Sequence, residues 1–220
     1  MLTYELKKVP ANYVIVEVGK RLEDTVKYGE STFYIDPEYN PTQNIRIFGR
    51  VVAVPDTIPI NEYGEQIEPE VQVGDTIYFH YLSIHNEDNC IYGNFYRIPY
   101  QWIFCTVRDK SIKAIGGWNF LEQVVEEDFN QEDIDGKKIE VVRSSSGLIT
   151  SVTKKTSTKY AVLRHKGTPL RGKEELPVHT GDKVVLNKHS NFKNTIEGRE
   201  YYTVKSEDIL CRVMTEFVSS

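Results

Sequence analysis

Apolar positions along this chain fall in short runs rich in Val, Ile, Tyr and Phe, and Gly, Pro, Asn, Asp and Ser punctuate them. That pattern predicts strands joined by turns. Asn12–Val18 is one such run, bounded by Pro10 and Gly19, and Asn119–Val125 is its counterpart 107 positions on, preceded by Gly116 and Gly117. Ile45–Val54 reads as a long strand in which Gly49 makes a bend or bulge, with Tyr160–Arg164 as its partner in the second half. Helical periodicity is scarce. Ser206-Glu-Asp is expected to form a single turn capped by the serine, with strand resuming at Ile209.

The pattern is written twice. Val73-Gly-Asp-Thr-Ile-Tyr-Phe79 followed by Tyr96-Arg-Ile-Pro-Tyr-Gln-Trp-Ile-Phe-Cys-Thr-Val107 recurs as Thr180-Gly-Asp-Lys-Val-Val-Leu186 followed by Tyr202-Thr-Val-Lys-Ser-Glu-Asp-Ile-Leu-Cys-Arg-Val213. The Gly-Asp pairs lie 107 residues apart, and Cys105 corresponds to Cys211. A period this long is not that of a solenoid but of a duplicated domain, with boundaries expected at 1–110 and 111–220. Each half can bury only a modest core. Its five or six short strands, with turns about every ten residues, predict an all-β chain of two tandem small antiparallel β-barrels.

Two segments break the rhythm, both between the first and second long strands of their half. Leu22–Asn44 holds the apolar island Phe33-Tyr34-Ile35, and Arg143–Thr158 is mostly Ser, Thr and Lys around Leu148-Ile149, with Val152 nearby. Loops of this length inside compact domains are functional or disordered. An apolar island has no use in a loop that stays solvated, so docking is the expectation for Leu148-Ile149. Phe33-Tyr34-Ile35 fits a short edge strand, a lid packed on its own barrel, or a second docking contact.

Composition narrows the function. Net charge is −5, which argues against a nucleic-acid partner. Up to Val107 there are 8 basic and 15 acidic residues, leaving 19 and 17 in the remainder, so the second half carries the basic surface. No apolar run spans a membrane, and the N-terminus has no secretory h-region. Three cysteines make no disulfide framework; buried thiols in a reducing cytoplasm are expected. His80, His85 and Cys90 are spaced His-x4-His-x4-Cys, which matches no zinc signature, so no metal is expected. Asp36, Glu38 and the acidic residues of 62–70 are read as solvated hairpin charge, and Trp102 and Trp118 as packing at the base of the barrels or between them. Paired carboxylates, a nucleophile–base order and a phosphate loop are all missing, which makes an enzyme unexpected.

In both halves the order of motifs resembles the GroES-type co-chaperonin family, the small chaperonins that cap an ATP-driven folding ring. Gly49-Arg-Val-Val-Ala-Val54 and Val71-Gln-Val-Gly-Asp75 are similar to its middle elements, and Asn61–Glu70 to its roof hairpin. Ser206-Glu-Asp-Ile-Leu-Cys-Arg-Val213 resembles its closing strand. Ser146-Gly-Leu-Ile149 is similar to its mobile-loop motif, nearer the phage-encoded form, and the double-domain plan is like that of plant plastids. Two departures stand in the first half: Gly29 lies four residues before Phe33, and Pro99-Tyr100-Gln101 replaces Ser-Glu-Asp.

The resemblance implies chaperonin-binding residues Ser146, Gly147, Leu148, Ile149 and Thr150, with Phe33, Tyr34 and Ile35 as a second contact. It also implies self-association into a ring, a GroEL-type chaperonin partner that uses the ATP, folding clients, and no cofactor in this chain. The setting would be the cytoplasm, a host's if a phage encodes the chain. Burying Leu148 and Ile149 yields roughly 1.5–3 kcal/mol each. Fixing each backbone residue costs about 1–2 kcal/mol, which cancels most of that gain. A ring presenting several loops raises avidity by about 10²–10⁴ and still permits release. Two rival functions share the barrels: a virion or structural assembly protein, and a single-stranded nucleic-acid binder resting on the tyrosines and the basic second half.

Overall fold

The computed structural model describes residues 9–20, 22, 25–28, 31–34, 46–59, 65–125, 131–134, 137–140, 142–143, 149–151, 156–169, 175–187 and 193–213. The chain groups into two compact units, Met1–Asn119 with His165–Leu176, and Phe120–Arg164 with Pro177–Ser220. Both are nearly all-β and antiparallel; among the described residues the one α-helix is the single turn α1 (Leu82–His85).

The first half contains β1 (Tyr13–Glu17), β2 (Thr25–Tyr28), β3 (Ser31–Tyr34), β4 (Phe48–Ala53), β5 (Ile58–Pro59) and β6 (Gln66–Ile67). After these come β7 (Thr76–Phe79), β8 (Cys90–Tyr92), β9 (Phe95–Pro99), β10 (Ile103–Arg108) and β11 (Ser111–Ala114). The second half contains β12 (Trp118–Val125), β13 (Gln131–Ile134), β14 (Lys137–Glu140), β15 (Val142–Arg143) and β16 (Ile149–Ser151). It ends with β17 (Thr156–His165), β18 (Lys183–Leu186), β19 (Lys193–Ile196), β20 (Arg199–Lys205) and β21 (Ile209–Arg212).

The main sheets run β11-β10-β7-β4-β1-β9-β8 and β21-β18-β17-β12-β20-β19. With β11 set aside, the two orders are the same when β1, β4, β7, β8, β9 and β10 are matched to β12, β17, β18, β19, β20 and β21. Details repeat as well. Each closing strand follows a one-turn 3-10 helix, Tyr100–Trp102 or Ser206–Asp208. Each then breaks register beside its neighbour, Cys105 facing Tyr78 and Ile103 facing Phe79, and likewise Cys211 facing Val185 and Ile209 facing Leu186. Pro99-Tyr100-Gln101 therefore leads into the same turn as Ser206-Glu-Asp. Lys205, rather than the serine, occupies the N-cap of that turn, and its side chain makes no capping bond.

Two sequence expectations shift in register. The strands 107 apart align at 105 instead, because Tyr13–Glu17 and Trp118–Glu122 share one burial pattern, with three buried residues between half-buried ones. Each follows a turn closed by one backbone bond, Tyr13 N–H to Pro10 O (3.2 Å) and Trp118 N–H to Ile115 O (3.0 Å), although the turns differ in type, with positive φ at Asn12 in the first and at both Gly116 and Gly117 in the second. The expected Ile45–Val54 strand is described as Phe48–Ala53. Its bulge lies not at Gly49 but where Ile15 faces Ala53 and Val16 faces Val51. Gly49 serves close approach, since a Cβ there would stand 2.6 Å from Val16 Cγ1 and 2.7 Å from Glu17 O.

The core of the first unit gathers one face of its strands, including Val14, Val16, Val51, Ile77, Phe79 and Ile98, beneath which Ile84 of α1 is fully buried. In the second, Phe120, Leu121, Leu163, Val184 and Ile196 are buried. Alternation decides these faces, because successive strand residues point to opposite sides. Of the thiols, only Cys105 is buried; Cys90 and Cys211 are exposed, contrary to expectation. Among the described residues β21 ends its sheet, whereas β10 is flanked by β11, and Cys211 differs accordingly.

Candidate functional site

Both island-bearing segments stand between equivalent strands, β1 and β4 or β12 and β17. In the first, β2 and β3 form an antiparallel hairpin pairing Thr25 with Tyr34 and Val26 with Phe33. Leu22, just before it, packs on the core of the first unit. All four residues of β3 are exposed, Phe33 at 54% and Tyr34 at 86%. Alternation sends these neighbouring rings to opposite faces of the ribbon. The reading of this island as a lid on its own barrel does not hold for Phe33 and Tyr34. Ile35 lies outside the described residues.

In the second segment β15 and β16 pair, Val142 facing Ser151 and Arg143 facing Ile149 with a register irregularity. Ile149 and Thr150 therefore sit on the returning strand of a hairpin. Ser146, Gly147 and Leu148 lie outside the described residues, as do Val152, Lys154 and Lys155. A further hairpin, β13 with β14, pairs Gln131 with Glu140 and Asp133 with Lys138. Sequence reasoning missed it, since this stretch is largely charged and polar and has little strand signal. The roof-like excursion carries β5 and β6, where Ile58 faces Ile67 and Pro59 faces Gln66. Ile58 is buried.

The Gly-Asp turns fasten the frame beneath these segments. Gly74 and Gly181 have φ of 96° and 97°, a conformation that favours glycine. Gly74 N–H donates to Val51 O (2.8 Å) and Gly181 N–H to Leu163 O (2.7 Å). The aspartates close the turns: Gln72 N–H donates to Asp75 Oδ2 (2.9 Å), and His179 N–H to Asp182 Oδ2 (2.8 Å). Asp75 also accepts from Arg108 Nε and Nη2, both at 2.9 Å, while Arg212 Nη1 lies 3.6 Å from Asp182. Burial alone would push the Asp75 carboxyl up; the bonds from Arg108 and Gln72 outweigh it and hold it below its ordinary value. Asp182 is lowered chiefly by the His179 N–H, against a small opposing effect of burial and with help from Arg212.

Glu70, expected to be a solvated charge, is instead a hub. Its carboxylate accepts from Thr168 Oγ1 (2.7 Å) and Gly116 N–H (3.3 Å), with Lys113 Nζ at 3.5 Å. Its own N–H donates to Tyr100 Oη (2.9 Å). Close by, fully buried Asn119 accepts from Gly167 N–H (3.1 Å) and donates to Gly117 O (3.2 Å). Only the place of Asn119, a polar residue in an apolar run, could have flagged this network in the sequence.

His80 stacks on Tyr81, and its Nδ1 accepts Leu82 N–H at 3.2 Å. Burial holds its pKa below the usual value. Among the described residues no group of three or more His, Cys, Asp or Glu is gathered as a metal site. Trp118 meets Phe104 edge-on, with ring centroids 4.8 Å apart, and donates to Gln101 O (3.3 Å). Trp102 lies beside His80. Among the described residues no helix is long and apolar enough to cross a membrane.

Residues 136–213 match the family model described as Chaperonin 10 Kd subunit, a stretch running from β14 through β21. It covers 78 of the 220 residues, and over it the chain is similar to that family. No curated protein matches the chain.

Proposed function

We propose that the chain is a tandem co-chaperonin that forms a ring and caps a GroEL-type chaperonin through the segments between its first and second long strands. The family match over residues 136–213 carries this reading, because that stretch includes the hairpin Val142–Ser151 and the closing strand. The strand order shared by the two sheets and the matching Gly-Asp turns support extending it to the first half, as two GroES-like barrels. Exposed Phe33 and Tyr34 support a second contact in the first half. The chain itself does no chemistry and needs no cofactor; ATP is hydrolysed by the partner, which encloses the client. Its setting is the cytoplasm, or a host's cytoplasm if a phage encodes it.

The paired substitution Leu148→Asp and Ile149→Asp tests the reading, with ATP-dependent co-sedimentation with a chaperonin ring as the assay. Charges cannot enter an apolar groove without desolvation, so co-sedimentation is expected to disappear. Unchanged co-sedimentation would remove this segment from the mechanism. Phe33→Asp with Tyr34→Asp is expected to weaken capture while changing stability by less than about 0.5 kcal/mol, since both rings are exposed.

A further inference from the structure

One segment of the second repeat belongs to the first unit. His165–Leu176 groups with Met1–Asn119, whereas Phe120–Arg164 and Pro177–Ser220 form the second unit. Within the first unit its contacts are specific. Gly167 N–H donates to Asn119 Oδ1 (3.1 Å), Gly117 N–H donates to Thr168 O (2.9 Å), and Thr168 Oγ1 donates to Glu70 Oε1 (2.7 Å). A Cβ on Gly167 would collide with Trp118 O and stand 3.0 Å from Trp118 N. Backbone lies on backbone at this crossing, an approach that only glycine permits. Lys166 closes the base of the segment, its Nζ donating to Glu175 Oε1 (2.8 Å) and Leu176 O (2.7 Å).

The residues it holds are joints of the first repeat. Glu70 ends the excursion after β4, accepts from Gly116 N–H (3.3 Å), and gives its own N–H to Tyr100 Oη (2.9 Å) at the entry to β10. Asn119 is completely buried, so loss of its bond from Gly167 would strand a buried amide oxygen. At its N-terminal end the segment continues β17, which lies between β12 and β18 in the second sheet. Duplicated domains ordinarily fold alone, each on its own core. We propose that His165–Leu176 is a strap that the second repeat supplies to the first, making the two repeats unfold as one cooperative unit. When β17 and β18 are formed, both ends of the strap are held. When they are not, the strap's bonds must also offset the entropy of fixing a free chain. This coupling goes beyond the co-chaperonin reading and does not depend on it.

The positions of the tryptophans supply the test. Trp102 and Trp118 both lie in the first unit, whereas Ile196, completely buried, lies in the second. Ile196→Ala in the full chain is expected to lower the urea midpoint of the tryptophan transition and to keep it coincident with circular dichroism. Gly167→Ala, which forces the strap away from Trp118, is expected to lower the same midpoint. Combined with Ile196→Ala it should split the two signals, circular dichroism falling at lower urea than fluorescence. A tryptophan midpoint unmoved by Ile196→Ala overturns the proposal. So does an Ile196→Ala shift that persists undiminished in the Gly167→Ala background, since the coupling would then run by another route. Should Gly167→Ala fail to fold, Thr168→Val replaces it. That variant keeps the shape of an exposed residue and loses its bond to Glu70, so the Ile196→Ala shift should shrink; an undiminished shift overturns the proposal. Ile196→Val serves in the same way for Ile196→Ala, with a smaller shift. No chaperonin enters these measurements, so failure of chaperonin capture and failure of this coupling are separately visible.

Discussion

Removing the Asp75 carboxylate tests whether the two Gly-Asp turns, alike in backbone, differ in strength. Asp75 is 5% exposed at its side chain and closes three hydrogen bonds of 2.9 Å, two from Arg108 and one from the Gln72 N–H. Asp75→Ala orphans the part-buried Gln72 N–H, at a cost of roughly 1–3 kcal/mol. The Arg108 pair adds about 1 kcal/mol at most, because the guanidinium is 52% exposed and regains water. The total is about 1–4 kcal/mol. Asp182→Ala removes one N–H bond and a longer, exposed ion pair, so its loss is smaller. Urea unfolding measures both. Trp102 and Trp118 are the two tryptophans of the chain and both belong to the first unit, so their fluorescence reports that unit while far-ultraviolet circular dichroism reports the whole. The pH dependence has a definite sign. A carboxyl lowered in the folded state contributes stability above its unfolded value of about 3.9, and loses it as pH falls through the folded value. Asp75→Asn should flatten that acid limb in the tryptophan signal. An equal or greater loss at Asp182, or an unchanged acid limb in Asp75→Asn, would refute the reasoning.

Two further outcomes follow from the same geometry. Gly74→Ala and Gly181→Ala should each destabilise by about 1–2 kcal/mol in denaturant titrations, through strain alone, because a Cβ at either site meets nothing within 4 Å. Unequal losses would break the equivalence of the turns. Burial pushes the Tyr100 hydroxyl up to about 12, so ultraviolet titration should show a late-titrating component that Tyr100→Phe reduces by one tyrosine. Its stabilisation is complete below pH about 10 and is lost as pH rises from there towards 12.

Legibility in the sequence followed the range of the interactions. Strand runs, the Gly-Asp turns and the order in which they recur were readable because each depends on residues close in the chain: alternation, a positive φ, a two-residue turn. The family resemblance was legible for the same reason, being a fixed order of such local signals. The island residues were legible as candidates because Phe33, Tyr34, Leu148 and Ile149 are apolar where their neighbours are polar. Their hairpin setting was less so, since a two-stranded ribbon owes its pairing to backbone bonds that polar sequence does not announce.

Tertiary structure alone decided what each pattern packs against. Cys105 and Cys211 occupy equal places in equal motifs, yet one is buried and the other exposed, because among the described residues β11 flanks β10 and no strand flanks β21 on that side. Glu70 looks like any hairpin acid until Thr168, 98 positions away, donates to it. Local chemistry writes the element into the chain; the neighbour that covers an edge or completes a hydrogen bond comes from distant residues, and only folding brings those together.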